Sequence, residues 1–327
     1  MIQEQTEERK MAGTITGQRV GVVGVGNMGS AVARSMVRGG FDVLVYDIRE
    51  EAVRPLVELG AKAAPSLEAL VAAVKWVSVV VVSDDQVRSV GGTVVDLATP
   101  GTIVAVHSTV RPTTVAALAE RGARRDVVVV DVAVNGGNEK ANLGKLTLMV
   151  GGEAEPIRYA MPLLQTFGSH IFHVGPIGSG LVGKLVNNLI AIGSYALQLE
   201  AVELAAAYGM DEDTVATVVS FSQGDNRGMR TWGRHDRKRA ERAAQGVSWY
   251  ERMGRDLEEA AIAAGLREVT LPLTAVIAEA LPNKLRRRDR VLAQRGPLPK
   301  IPRCRECDSE LAPPFREAGV HPECRTA

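Results

Sequence analysis

Seven Val-rich runs punctuate the first 175 residues: "RVGVVGV", "DVLVYD", "WVSVVVVS", "TIVAVHS", "DVVVVDVAV", "LTLMVGG" and "HIFHVG". Most are apolar at consecutive positions rather than alternate ones. A strand that reads this way is covered on both faces, as inside a parallel sheet with helices on either side. Helical patterns fall between the runs, at 28–38, 50–59, 67–73, 112–121 and 156–167. Strand–helix alternation predicts an α/β fold, a Rossmann-type doubly wound parallel sheet over residues 18–179. Hydrophobic residues make up 46% of the chain and aromatics only 4%, so the core must be aliphatic.

The strand signal stops after Gly180. A long apolar segment follows, "GLVGKLVNNLIAIGSYALQLEAVELAAAYGM", and Gly209 closes it. Further helical patterns begin at the acidic "DED" after it, in "SWYERMGRDLEEAAIAAG" and after Pro272. The 327 residues thus divide into a flexible tail (1–17), a dinucleotide-type domain (18–179) and an all-helical domain (180–285). A basic linker (286–302) and a cysteine-bearing tail (303–327) end the chain. The N-terminal segment has no apolar core of the kind a secretory signal needs. The longest apolar stretch, Leu185 to Leu199, is too short for a membrane span and holds Asn187 and Asn188. A soluble cytoplasmic protein is expected. A net charge of +1 makes the chain neither a polybasic nor an acidic binder.

Gly24, Gly26 and Gly29 form G-x-G-x-x-G between a strand and a helix. Gly24 would permit the tight turn, Gly26 the approach of a pyrophosphate, and Gly29 the packing of helix on strand. Asn27 and Met28 open the helix, whose N-terminus presents unpaired amides to an anion. Asp47 ends the second strand, 21 residues beyond Gly26. A carboxylate there can accept the adenosine ribose hydroxyls and repels a 2′-phosphate, which favours NAD. Arg49 leaves NADP open, because a guanidinium could pair with that phosphate.

These motifs, together with "HSTVRP", "DVAVNGGNEKANLGKLTLMVGG", "GPIGSGLVGKLVNN" and "GRDLEEAAIAAG", resemble the β-hydroxyacid dehydrogenases in order and spacing. That family includes 3-hydroxyisobutyrate dehydrogenase and is related to 6-phosphogluconate dehydrogenase. The resemblance covers about residues 18–282. It implies hydride transfer between a nicotinamide and a small β-hydroxy carboxylate or its oxo form. Lys184 would be the acid/base at the substrate hydroxyl, with Asn188 orienting it one helical turn on. Asn135, Gly136 and Gly137 would hold the substrate carboxylate, and Ser108 and Thr109 would lie near the nicotinamide. Arg255 would reach the substrate from the helical domain. Asn135 stands where the family usually has Ser, Arg255 where it commonly has Lys, and His107 where it often has Asp. The imine reductases share the fold but generally lack the lysine. The family's habit of assembly implies a homodimer or tetramer.

The tail carries Cys304, Cys307, His321 and Cys324, a C-x2-C followed by H-x2-C. Three thiolates and an imidazole could close a tetrahedral structural zinc site. The basic stretches near it could touch nucleic acid. The linker lacks interleaved stacking aromatics, so a solvated tether is the simpler reading. Two rivals stay open: an imine or carbonyl reductase of the same fold, and a non-catalytic dinucleotide sensor whose tail contacts nucleic acid or a protein.

Overall fold

The computed structural model describes residues 13–233 and 272–295. The chain divides into two compact units, with the boundary after Val186.

The first unit is an eight-stranded sheet between helical layers. Its strands are β1 (Arg19–Val23), β2 (Asp42–Tyr46), β3 (Lys62–Ala63), β4 (Trp76–Val79), β5 (Ile103–Val106), β6 (Val128–Asn135), β7 (Leu146–Gly151) and β8 (Gly168–Gly175). Their order across the sheet is β3-β2-β1-β4-β5-β6-β7-β8. Helices α1 (Asn27–Arg38), α2 (Glu50–Val57), α7 (Gly137–Asn142) and α8 (Ala154–Leu164) lie on one face. On the other are α3 (Leu67–Ala72), α5 (Gly92–Leu97) and α6 (Pro112–Ala123). The strands feed both layers by alternation: Val128, Val130, Val132 and Val134 of β6 join one apolar cluster, and Val129 and Ala133 the other.

Four features differ from the expectation. The sheet is not wholly parallel, because β7 runs antiparallel to β6 and β8 parallel to β7. Only residues 136–145 link β6 to β7. A parallel crossover needs a dozen or more residues, so the chain can only turn back. The two-residue β3 was not legible as a strand. The segment after β4 is also helical, running through α4 (Asp84–Gln86) and a π-helical turn (Val87–Gly91) into α5. Its Gly91–Gly92 pair reads as a turn in sequence, yet Gly91 packs where a Cβ would meet Leu118 at 3.2 Å. Ile15, assigned to the flexible tail, is buried in the core and its amide donates to Tyr159 O.

Helix α9 (Ser179–Ala207) carries the chain from the first unit into the second. By length and composition alone it could cross a membrane. Leu181 at its start is fully buried in a core cluster, and Glu200 and Glu203 near its end form ion pairs, while Val186, Ile190, Leu197 and Leu204 are exposed.

The second unit continues through α10 (Glu212–Ser220), α11 (Arg227–Arg230) and α12 (Pro272–Arg295). Asp211 caps α10 by accepting from the Thr214 amide at 2.9 Å, as the acidic first turn implied. Helix α12 extends past the boundary drawn at 285. Its Arg288 is buried, pairs with Glu212 and lies 5.4 Å over the Trp232 ring.

Candidate active site

At the end of β1 the chain turns at Gly24 with φ of +85°. A Cβ on Gly24 would stand 2.5 Å from Val80 O, and one on Gly29 would stand 1.9 Å from Gly24 O. Those two glycines are therefore fixed by packing. Gly26 differs: a Cβ there would meet only the Arg49 guanidinium, at 3.8 Å. The space above Gly26 is open, and Gly26 caps α1 without a side chain. Amides of the first turn, at Asn27 and Met28, have no earlier helical carbonyl to bond. The loop thus fits a pyrophosphate.

Asp47 closes the loop from the side. It accepts from the Val25 amide at 2.8 Å and from the Arg49 amide at 3.0 Å. Arg49 Nε adds a longer contact at 3.3 Å. Burial opposes the Asp47 charge, but those amides and the guanidinium outweigh it and hold the carboxyl below its ordinary value. The carboxylate stays ionised and can still accept from a ribose hydroxyl. Arg49 is pinned to that same carboxylate.

Ser108 and Thr109 follow β5, at the same edge of the sheet. Ser108 is bound within the fold: its hydroxyl donates to Val81 O at 2.8 Å and accepts from the Val81 amide at 3.0 Å. Thr109 is half-buried. His107 points into the protein, edge-on to Phe167 and 3.0 Å from Ser78 Oγ. Burial pushes its imidazole down to about 4, so it is neutral at working pH.

The strongest convergence lies at the end of β6. Asn135 is followed by Gly136 and Gly137, with φ of +135° and +72°, conformations that favour glycine. A Cβ on Gly137 would meet nothing within 4 Å, so the turn opens to solvent or ligand. Lys184, on α9, donates from Nζ to Asn135 Oδ1 at 3.1 Å. An ammonium can only donate, so the Asn135 amide nitrogen must face away, where it can donate to a carboxylate. Burial pushes Lys184 down to about 8, and no carboxylate among the described residues pairs with it. The arrangement brings together a proton acceptor, an amide donor and a double-glycine turn that is open at Gly137.

One residue escaped the sequence reading. Asp131, fully buried in β6, accepts from the Gly178 amide at 2.6 Å and the Leu181 amide at 2.8 Å. Its signals were a carboxylate after four valines in "DVVVVDVAV" and its place at the head of "DVAVNGG". Asn188 is buried and belongs to the second unit, and its Oδ1 accepts from Asn187 Nδ2 at 3.4 Å. Arg255 and the four tail residues Cys304, Cys307, His321 and Cys324 lie outside the described residues. Among the described residues no group of three or more His, Cys, Asp or Glu could hold a metal.

Residues 19–175 match a family model described as the NAD binding domain of 6-phosphogluconate dehydrogenase. Residues 178–290 match one described as the NAD-binding region of NADP-dependent 3-hydroxyisobutyrate dehydrogenase. An uncharacterized oxidoreductase of Mycobacterium tuberculosis is 38% identical over 62% of this chain and 70% of its own length. The NAD-dependent L-serine dehydrogenase of Pseudomonas aeruginosa is 32% identical over 64% of this chain and 71% of its own. In structure, a 3-hydroxyisobutyrate dehydrogenase of Mycobacterium tuberculosis, solved with L-serine, superposes with a TM-score of 0.71. It is 24% identical over 81% of this chain and 93% of its own, a likeness that carries the fold alone.

Proposed function

We propose a reaction for this chain, which belongs to the β-hydroxyacid dehydrogenase family and is an NAD(P)-dependent oxidoreductase acting on a hydroxyl-bearing carbon. The substrate is a short β-hydroxy carboxylate or its oxo form, and Lys184 moves the hydroxyl proton. Bound in the Gly24–Gly29 loop, the nicotinamide nucleotide supplies the acceptor or donor of the hydride. In the oxidation direction neutral Lys184 takes the proton from the hydroxyl oxygen. In reduction the ammonium donates it back to the carbonyl oxygen. Asn135 fixes the lysine through Oδ1 and turns its amide nitrogen toward the substrate carboxylate. The amides of Gly136 and Gly137 approach the same carboxylate because no side chain intervenes. The observation that carries this reading is the 3.1 Å contact of a half-buried Lys184, its pKa lowered by desolvation, with Asn135 beside the glycine turn that is open at Gly137. Asn188 and Arg255 are proposed as further substrate contacts.

NAD is the proposed preference, since ionised Asp47 repels a 2′-phosphate and engages Arg49. A lysine at the hydroxyl position favours the dehydrogenase over the imine reductase reading. Cytoplasmic location and a homodimer or tetramer complete the proposal. The zinc site rests on the spacing of Cys304, Cys307, His321 and Cys324 alone.

The test is a screen of short hydroxy acids, L-serine and 3-hydroxyisobutyrate among them, with NAD and NADP. Turnover should appear with a β-hydroxy carboxylate. Lys184→Ala should lower kcat by roughly 10²–10⁴-fold, the usual worth of a general acid or base. Its dissociation constant for the nucleotide should hold. Near-normal turnover in that variant would reject the assignment.

A further inference from the structure

Strand β6 contributes two polar side chains to one face. Asp131 and Asn135 are four residues apart and point to the same side, since side chains alternate along a strand. Asn135 meets Lys184 Nζ. Asp131 meets the start of the helix that carries Lys184. Its Oδ1 accepts from the Gly178 amide and its Oδ2 from the Leu181 amide.

A helix start needs partners for its first amides, and these commonly come from a neighbouring side chain in sequence. At α9 the preceding residue is Gly178, with φ of +90° and no side chain to cap with. Asp131 substitutes for the local cap from 47 residues away. The surroundings make room for it. A Cβ on Gly151 would stand 2.4 Å from Asp131 Oδ1, and one on Gly180 would stand 2.7 Å from Oδ2 and 2.3 Å from Met149 O. Two glycines on two different elements thus permit this carboxylate to reach the helix. Being fully buried, Asp131 is no surface acid, and a lost partner would leave a charge without solvent.

We propose that Asp131 is a positioning residue: from within β6 it grips the first turn of α9 and so fixes where Lys184 meets Asn135. The strand holds the helix at one point and its reactive lysine at the other, so β6 contributes to both ends of the geometry of proton transfer. This inference rests on the reading of Lys184 as the acid/base.

Asp131→Asn keeps the shape but leaves one buried amide facing an NH₂ group. In the full-length enzyme, kcat should fall by about 10- to 100-fold, the scale of a displaced catalytic group. KM for the hydroxy acid and the nucleotide dissociation constant should change less than about twofold, as neither ligand touches Asp131 in the proposed site. The rising limb of kcat/KM against pH should move up from about 8 as the lysine leaves its half-buried place. Loss of a nearby negative charge would move a lysine down, so an upward shift reports displacement from the apolar site. A lowered melting temperature with unchanged kcat and an unmoved limb would overturn the proposal. The Lys184 Nζ titration, followed by NMR of ¹³C-lysine in wild type and variant, needs no substrate. The same midpoint in both would overturn it, even if no hydroxy acid is turned over and the proposed reaction itself fails. Should Asp131→Asn not fold, hydrogen exchange in the wild type decides. The amides of Gly178 and Leu181 should be protected like core amides, and loop-like exchange would overturn the grip.

Discussion

An ammonium among apolar atoms gives up its proton early, and Lys184 is placed for that consequence to matter. Oxidation of a hydroxy acid needs the neutral amine, so its rate should rise with pH through about 8. Reduction needs the ammonium and should decline above the same value. Initial rates in both directions across pH 6–10 check the pair of signs. His107 gives a separate prediction on stability. Its folded pKa of about 4 lies below the unfolded 6.5, so the unfolded chain binds its proton first as pH falls. Stability should be full above 6.5 and drop by about 3 kcal/mol between 6.5 and 4. Denaturant titrations of wild type and His107→Gln should differ in that window and converge in slope outside it. The residues most legible in sequence were those whose job is local. Gly24, Gly26 and Gly29 announce themselves because turn, approach and packing all fall within six positions. Lys184 was legible through the resemblance, whereas its contact with Asn135 joins residues 49 positions apart and no local pattern encodes it. The role of Asp131 was hidden for the same reason: it heads "DVAVNGG", but nothing local shows the helix it meets 47 residues on.

At the scale of elements, the sequence showed which segments are strands better than which way they run. Seven of the eight strands stand where Val-rich runs predicted them. The reversal of β7 depends on the length of the connection after Gly136–Gly137, and its hydrophobic pattern is the same in either direction. The helical stretch 84–97 is absent from the predicted helices, and its glycine pair carries little helix propensity. Helix α12 was missed in its second half because "NKLRRRDR" reads as a solvated linker. What converts it into a packed helix is Arg288, whose guanidinium binds Glu212 at the head of α10. Trp232 Nε1 donates to the same carboxylate at 3.2 Å. Arg288→Ala would leave the partly buried Glu212 without its guanidinium partner, a change that costs up to about 3 kcal/mol. Urea unfolding should show that loss, while Arg286→Ala, on an exposed residue, should stay within about 0.5 kcal/mol.

For the whole molecule, the proposal joins a dinucleotide fold, a lysine-bearing helix and an oligomer. Sedimentation at micromolar concentration should give a dimer or tetramer, and a monomer would remove that part. Metal analysis of the full chain and of a chain ending at residue 302 should differ by about one zinc if the tail binds it. Equal contents would leave the tail without a metal role. Wild type should bind NAD more tightly than NADP, and Asp47→Ser should weaken the first and strengthen the second. The claim on which these depend is proton transfer by one side chain. It is tested most directly by the pH dependence of kcat/KM in the intact enzyme, with Lys184→Ala measured in the presence and absence of a small primary amine. The account predicts a limb near 8 in the wild type, its absence in the variant, and partial recovery of rate by added amine. A variant that retains both the limb and the rate would contradict it.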